Sequence, residues 1–414
     1  GEWVRLTHRV HIPIINPNPA MVLFLCGPTE STMDRIPCTP GHVFEMNNQA
    51  KHSVSNCQST HHRIHLILDY VDCDFTIQNR IQLTPGETIV QTRRSIDRAL
   101  DANSRPTPSF MIIGAQKSGT TSIYEYTNKH PLVIRAKRRE THCLDWRWDT
   151  TASSPAVTRE NCSKFFFTDE LKYHPSCLTG DSTPSYLLDS YRCIPRLKEV
   201  YPYWTTGDMK LIAILRDPVK RALSHKAMVT SLDGTPQQIN SRGTEWLNMT
   251  FEEIVEVDMR NLQQSGLIPY WDIEDQVMDL DRFETFSGSD EENQAFEQYL
   301  RCHVPMMTGS HSLISRGMYE LQLRQWFRQL SPDMFLVLKL EDMKIDGGVQ
   351  RTMDRVWEHL DLPSFKMDDV SAKNTRSYTD SLSEETEDML ERFFAPHNQR
   401  LKVLLGDDWE NPWK

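Results

Sequence analysis

Short apolar runs bounded by polar residues recur between residues 106 and 414, and helical patterns separate them. Phe110–Ile113, Lys210–Leu215 and Met334–Leu340 each suit one buried strand and are too short for a buried helix. Strands that alternate with helices predict an α/β fold, in which helices flank a central and mainly parallel sheet. The carboxyl ends of such strands share one edge of the sheet, where anions are commonly bound.

The first apolar run leads into a glycine-bounded loop that carries a lysine and then opens a helix. Gly114 and Gly119 bound the loop, Lys117 lies within it, and the helical pattern starts at Thr120. A helix N-terminus presents unpaired N–H groups and the positive end of its dipole, and the lysine adds a full charge. In a Walker A loop the lysine follows the last glycine, whereas here it precedes that glycine. The pattern predicts a phosphate-binding loop of another kind.

A second strand-to-helix unit begins at Lys210. Arg216 follows the strand directly, Pro218 occupies the position of a first helical residue, and Ser224 lies on the next helix. Arg216 and Ser224 can both reach one anion over the carboxyl edge of the sheet. Either residue alone is as typical of a solvated surface, but with the loop at Lys117 they predict a crevice with two anion sites. A bisphosphorylated nucleotide would satisfy both sites.

A dense basic cluster follows the phosphate-binding loop. It comprises Arg135, Lys137, Arg138 and Arg139, and it is followed by Glu140 and His142. A basic run usually forms a solvated face. Its position just after the phosphate-binding loop favours a functional role over this interpretation.

Residues 1–105 differ from the rest of the chain in their pattern of apolar and polar residues. Alternating apolar and polar positions, interrupted by Pro, Gly and Asn, predict a small β-rich module that ends in a linker at Asp101–Pro108. His61, His62 and His65 lack cysteine or carboxylate partners in their pattern, and we interpret them as surface residues. The pattern assigns this module no chemistry.

Residues 231–292 are predicted to be a polar insertion. Thr250 and Glu253 have the capping-box spacing of one amphipathic helix. Between Asp272 and Glu292 the chain holds nine acidic residues and one basic residue, Arg282. Such a charge run is typical of a solvated segment, so we expect an insertion exposed to water and no metal site.

Composition restricts the partners and the compartment. The formal charge of -11, from 46 basic and 57 acidic residues, argues against general nucleic-acid binding. No run approaches the about 18 apolar residues that span a membrane, so we expect membrane attachment only through an anchor outside this sequence. The cysteines lack zinc-site spacing, and no metal is expected. The nine cysteines, together with sequons at Asn161 and Asn248, favour a secretory lumen.

Five ordered motifs within residues 106–414 resemble sulfotransferases that use 3′-phosphoadenosine 5′-phosphosulfate (PAPS). They most resemble the Golgi carbohydrate sulfotransferases of the heparan sulfate type. The motifs are the 5′-phosphosulfate loop Gly114–Thr121, the segment Arg139–Asp145, the turn Asp181–Tyr186, the 3′-phosphate motif Ile214–Ser224, and the terminal helix Phe393–Gly406. Cys143 and Leu144 depart from the family's aromatic pair, and Lys373–Arg376 departs from its Lys-Gly-Arg loop. The resemblance implies the P-loop-like sulfotransferase fold.

The resemblance also implies roles for individual residues. It assigns Lys117 to the charge that develops on the leaving oxygen, Glu140 to the general base, and His142 to the position of a rival base. It places Arg138 and Arg139 at the acceptor. The residues implied to hold PAPS are Lys117, Ser118, Gly119, Thr120, Thr121, Arg216 and Ser224, with Lys373 and Arg376 as weaker candidates.

The implied reaction is in-line transfer of a sulfuryl group from PAPS to a hydroxyl or amine of a carbohydrate or glycosaminoglycan-like acceptor. One alternative keeps the reaction and changes the acceptor to a small lipophilic alcohol or a protein tyrosine. Others are a nucleotide kinase and a nucleotide-binding protein without catalysis. The sequence leaves open the sulfated position, the disulfide pairing, the oligomeric state and the role of residues 1–105.

Overall fold

The chain divides into two compact units, Gly1–Glu87 and Thr88–Lys414, and each is described by itself. The computed structural model of the protein describes residues 7–15, 23–27, 34–36, 38–46, 51–55, 64–71, 106–173, 177–201, 209–231, 239–240, 242–302, 312–367, 382–406, 409 and 413. The linker predicted at residues 101–108 therefore lies mostly outside the described residues. No helix among these ranges is long and apolar enough to cross a membrane.

The N-terminal unit contains two antiparallel sheets, which confirms its β-rich character. Their strands are β1 Thr7–Ile15, β2 Leu23–Gly27, β3 Asp34–Arg35, β4 Phe44–Met46, β5 Lys51–Ser55 and β6 Ile64–Val71. One sheet has the order β4-β1-β6 and the other the order β3-β2-β5. His11 is buried between the ring of Phe44, at 5.1 Å between centroids, and that of His65, at 6.1 Å. His61 and His62 lie outside the described residues.

The second unit is built on a four-stranded parallel sheet with the order β12-β9-β7-β8. The strands of this unit are β7 Phe110–Gly114, β8 Gly180–Asp181, β9 Lys210–Leu215, β10 Trp271–Asp272, β11 Val277–Met278 and β12 Phe335–Lys339. The three predicted strands are thus confirmed, and β10 and β11 form a separate antiparallel pair.

Helices follow most strands of this sheet. They are α1 Thr120–Thr127, α2 Pro155–Ser163, α3 Thr168–Tyr173, α4 Ser190–Val200, α5 Pro218–Val229, α6 Phe251–Gln264, α7 Leu280–Phe286, α8 Asp290–Cys302, α9 Tyr319–Gln329, α10 Gly348–His359 and α11 Glu384–Leu405. The predicted helix start at Pro218 is confirmed, and Asp217 caps it by accepting hydrogen bonds from the amides of Val219 and Lys220. The predicted capping box of Thr250 and Glu253 is also present at α6.

Both faces of the sheet are buried. Phe110 and Ile112 of β7 enter one apolar cluster, whereas Met111 and Ile113 enter the other. This alternation follows from the pleat of a strand, which points successive side chains to opposite faces. A parallel sheet covered on both sides by helices is the α/β arrangement that the apolar runs predicted.

The acidic segment exposes eight of its nine acidic residues, as its charge run predicted, but it also contributes to the apolar core. Phe283 and Phe286 of α7 are fully buried in an apolar cluster of the second unit. Glu292, although acidic, is only 1% exposed and pairs with Arg324 at 2.5 Å. The charge run thus predicted the exposed acidic face of the segment, but it did not reveal the apolar stripe of α7 or the buried position of Glu292.

We expect Arg324→Met to destabilise the second unit strongly. The guanidinium of Arg324 also lies 3.0 Å from Glu320, so its removal leaves Glu292 without its cation and leaves Glu320 with its contact to His397. Loss of one partner of a buried ion pair costs roughly 3–5 kcal/mol in free energy of unfolding. Urea unfolding of the purified protein measures this loss.

Arg282→Met is the matched control for this measurement. Arg282 pairs with Glu291 on the same acidic segment, but both side chains are exposed. An exposed ion pair contributes at most about 1 kcal/mol to the free energy of unfolding. Equal losses in the two variants would contradict the buried position of Glu292.

Candidate active site

The phosphate-binding loop joins β7 to α1 at the carboxyl edge of the sheet. The amide of Ala115 donates to the carbonyl of Ile214 at 2.8 Å, which fixes the loop to the end of β9. Gly119 has a φ of 97°, and a Cβ there would lie 2.8 Å from Leu340, so the position requires glycine. Gly119 also offers no side chain to cap α1. The first amides of the helix therefore face the loop without a side-chain acceptor.

Arg216 joins the second strand end to the first. Its Nη1 donates to the carbonyl of Lys117 at 3.2 Å, and the hydroxyl of Tyr319 donates to the carbonyl of Arg216 at 2.7 Å. Ser224 is buried on α5, the helix that follows Arg216. Lys117 and Arg216 therefore lie beside each other after neighbouring strands of one sheet edge, and Ser224 lies on the helix that follows Arg216.

Glu140 is held between an arginine and a histidine. Arg139 donates through Nη2 to its Oε1 at 2.6 Å, and Nε2 of His142 lies 3.6 Å from its Oε2. Burial alone would raise the pKa of Glu140, but the hydrogen bond with His142 and the charge of Arg139 lower it below its ordinary value. Arg139 also donates through Nη1 to the hydroxyl of Thr121. The carboxylate is thus tied to the first turn of α1.

The imidazole of His142 is positively charged, opposite to the carboxylate of Glu140. Its Nδ1 lies 3.0 Å from Oδ2 of Asp145, which also accepts a hydrogen bond from Ser185 at 2.7 Å. Burial alone would lower the pKa of His142, but the hydrogen bonds to Asp145 and Glu140 raise it to about 9. An imidazolium at neutral pH cannot accept a proton, so the geometry favours Glu140 over His142 as the base.

A buried carboxylate fixes the backbone that carries Glu140. Asp181, at the end of β8, accepts hydrogen bonds from the amide and the hydroxyl of Thr141 at 3.1 and 2.7 Å. The amide of Ser182 donates to the carbonyl of Arg139 at 3.0 Å. These contacts hold the segment on both sides of Glu140 against the edge strand.

The four residues of the basic cluster do not share one location in the structure. Arg138 donates through Nε to the carbonyl of Glu140 at 3.2 Å, and Arg139 contacts the carboxylate itself. Arg135 instead pairs with Glu125 of α1, and the Nζ of Lys137 lies 5.4 Å from the ring centre of Phe167. Only the two arginines nearest to Glu140 lie at the candidate site. Lys373 and Arg376 lie outside the described residues.

Sequence reasoning assigned no role to Asp145, Asp181 or Tyr319. The spacing of His142 and Asp145 was a usable signal, since the two side chains meet across a single turn. The contacts of Asp181 and Tyr319 link residues far apart in the chain, and no local sequence pattern predicts such contacts. Over the described part of the chain, no three His, Cys, Asp or Glu side chains are grouped as a metal site requires.

The sulfotransferase domain family profile matches residues 107–399, which include every strand of the parallel sheet. The chain belongs to this family. This membership replaces the nucleotide-kinase alternative, which the position of Lys117 before Gly119 already disfavoured.

The sulfotransferase relatives are distant. The chain is 22% identical over 338 residues to membrane-associated sulfotransferase kil1 of Dictyostelium discoideum, covering 73% of this chain and 67% of that protein. It is 24% identical over 348 residues to carbohydrate sulfotransferase 15 of Mus musculus, covering 73% of this chain and 54% of that protein. The chain thus spans about half the length of the mouse relative.

The chain also matches a further relative over a shorter stretch, and it matches a solved structure. Heparan sulfate glucosamine 3-O-sulfotransferase 3A1 of Homo sapiens is 31% identical over 129 residues, or 30% of this chain and 26% of that protein. A crystal structure of a sulfotransferase from Alicyclobacillus acidocaldarius matches with a TM-score of 0.43 and 18% identity, covering 72% of this chain and 95% of that chain.

We expect His142 to stabilise the protein in a pH-dependent way. Its pKa is raised from 6.5 to about 9, so its contribution is fully present below pH 6.5 and is lost as the pH rises through about 9. His142→Asn removes the charge, and asparagine tolerates the φ of 56° at this position. The wild type should exceed the variant in free energy of unfolding by up to roughly 3 kcal/mol at about pH 6, and by much less above the raised pKa. Chemical denaturation across this pH range measures the difference.

His359 provides a control of opposite sign. Burial lowers its pKa to about 4, so the stability that its neutral ring contributes is present above pH 6.5 and is lost as the pH falls through about 4. The difference between wild type and His359→Asn should shrink as the pH falls. If both variants followed the same pH trend, the charged state of His142 would be refuted.

Proposed function

We propose that the protein transfers a sulfuryl group from PAPS to a hydroxyl or amine of a carbohydrate acceptor. The observation that carries this proposal is the position of Glu140 in a domain of the sulfotransferase family. Its lowered pKa keeps it a carboxylate, and Arg139 ties it to the helix that opens the phosphate-binding loop. A proton acceptor and an anion site lie together there.

The loop and the second strand end suit the two ends of PAPS, which supplies the activated sulfuryl group when bound. We assign the 5′ end to Lys117, Ser118, Gly119, Thr120 and Thr121, and the 3′-phosphate to Arg216 and Ser224, with Lys373 and Arg376 as weaker candidates for the same phosphate. The Nε of Arg216 is buried and finds no hydrogen-bond partner among the described residues. Buried donors are normally paired, so this orphaned N–H supports an anion at that position.

Lys117 and Glu140 would divide the chemistry between them. Lys117 offsets the negative charge on the bridging oxygen as the sulfur leaves it, the kind of electrostatic help that dominates group transfer. Glu140 takes the proton from the acceptor hydroxyl or amine as that group attacks in line. His142 and Arg139 hold the carboxylate in place and keep it ionised.

The carbohydrate acceptor is supported by the relatives and by charge. Two of the relatives are named for carbohydrate and heparan sulfate acceptors. Arg138 and Arg139 lie beside the base, and a guanidinium offsets the sulfate or carboxylate charge of an acidic sugar chain. Transfer from labelled PAPS to polysaccharides, sterols and tyrosine peptides separates the acceptor classes. Incorporation into sterols or peptides alone would overturn the carbohydrate assignment.

We propose a secretory compartment, in the manner of the Golgi carbohydrate sulfotransferases that the motifs resemble. The sequons at Asn161 and Asn248 support it, and Asn161 is partly exposed on α2, where a glycan can be attached. Sensitivity of the secreted or Golgi-retained protein to peptide N-glycosidase tests the compartment.

We expect Glu140→Gln to lower kcat by about 100- to 10,000-fold, because a positioned base contributes that much to a proton transfer. The affinity for 3′-phosphoadenosine 5′-phosphate, measured by calorimetry, should stay unchanged, since Glu140 faces the acceptor. Glu125→Gln is the control, because this carboxylate also pairs with an arginine but lies away from the site. Nucleotide binding without transfer in the wild type, over the whole acceptor panel, would favour a protein that only binds nucleotide.

We expect the pH profile of kcat/KM to identify the base. Because the pKa of Glu140 is lowered below 4.5, the rate should be level from about pH 6 to 8. If His142 were the base, its pKa of about 9 would make the rate climb through that range. A rising limb that disappears in His142→Asn would therefore transfer the role to His142.

A further inference from the structure

Two cysteine thiols lie near each other behind the segment that carries the base. Cys143 directly follows His142, and Cys162 lies near the end of α2. The Cys143 thiol interacts with the Cys162 thiol, both are free thiols in the structure, and the two residues are only 3% and 4% exposed. Cys162 also contacts the hydroxyl of the buried Tyr201. The pair is thus enclosed, with each sulfur in reach of the other.

We propose that Cys143 and Cys162 form a disulfide that ties the segment carrying Glu140 to α2. The two S–H bonds break and one S–S bond forms. The two electrons and two protons pass to a disulfide of an oxidoreductase or of oxidised glutathione, which is reduced to two thiols. The inference rests on the proposed secretory compartment, where disulfides persist, and it is independent of the acceptor.

The contacts of a third buried cysteine distinguish this pair. Cys193 on α4 is fully buried and close by, but its thiol donates to the carbonyl of Leu144 at 3.6 Å. Cys193 therefore already has a backbone acceptor, whereas the thiol of Cys143 interacts with the thiol of Cys162. This makes Cys193 a matched control for removal of a buried thiol.

The environment of the pair points to a permanent crosslink that forms during folding. Contact with Cys162 and burial raise the pKa of the Cys143 thiol well above its usual value. Thiolates are the species that attack disulfides, and both sulfurs are shielded from solutes in the folded protein. Oxidation therefore precedes the burial of the pair, and the bond then resists reduction without unfolding.

Peptide mapping of the protein made in a secretory host tests the bond directly. The protein is alkylated under denaturing, non-reducing conditions, treated with peptide N-glycosidase because Asn161 adjoins Cys162, digested, and analysed by mass spectrometry. We expect a Cys143–Cys162 linked peptide that disappears on reduction. Alkylated, unlinked Cys143 and Cys162 in a glycosylated protein would overturn the inference without touching the proposed function.

Thermal unfolding with and without dithiothreitol provides the second measurement. Reduction at unfolding temperatures should lower the Tm of the wild type by roughly 5 °C, since closing residues 143–162 into a loop restricts the unfolded chain. Cys193→Ser should retain this shift, and the double variant Cys143→Ser, Cys162→Ser should lose it. A shift of equal size in the double variant would assign it to other cysteines and contradict the bond.

Discussion

The parallel pairing of β7 with β9 is the constraint on which the site depends. Their register brings the turn after each strand to the same edge, where Ala115 bonds to Ile214 and Arg216 reaches the carbonyl of Lys117. Neither turn alone distinguishes a nucleotide site from a solvated loop. Joined by these two hydrogen bonds, they bring a helix N-terminus and a guanidinium together on one sheet edge, which suits the proposed ligand with anionic groups at both ends.

Alternating charges surround Glu140, the proposed proton acceptor. Arg139, Glu140, His142 and Asp145 follow one another as cation, anion, cation and anion, and each contacts the next. Within such a series every charge favours the ionised form of its neighbours, which outweighs the effect of burial on Glu140 and on His142. The imidazole is therefore a source of positive charge that orients the carboxylate, although histidine is the side chain most often expected to accept protons near neutral pH.

The sequence allowed the sheet and the loop to be predicted, because buried strands appear as apolar runs and Gly119 occupies a position that only glycine fits. Burial of Phe283 on the acidic segment was missed, since net charge does not reveal which face of a helix is apolar. The partners of Glu140 were predictable only where local, as with Arg139. The support from Asp181 depends on a strand pairing that no local pattern specifies.

The segment that carries Glu140 is irregular, and its order comes from its surroundings. His142 has a positive φ, so the regular hydrogen-bond pattern of a helix or a strand does not continue through it. The support instead comes from separate elements: Asp181 holds the amide of Thr141, and Arg196 of α4 donates to the carbonyls of Leu144 and Asp145 at 2.9 and 2.8 Å. A base whose position matters at the scale of a hydrogen bond requires this kind of support, because an irregular segment held only by its own residues would sample many positions.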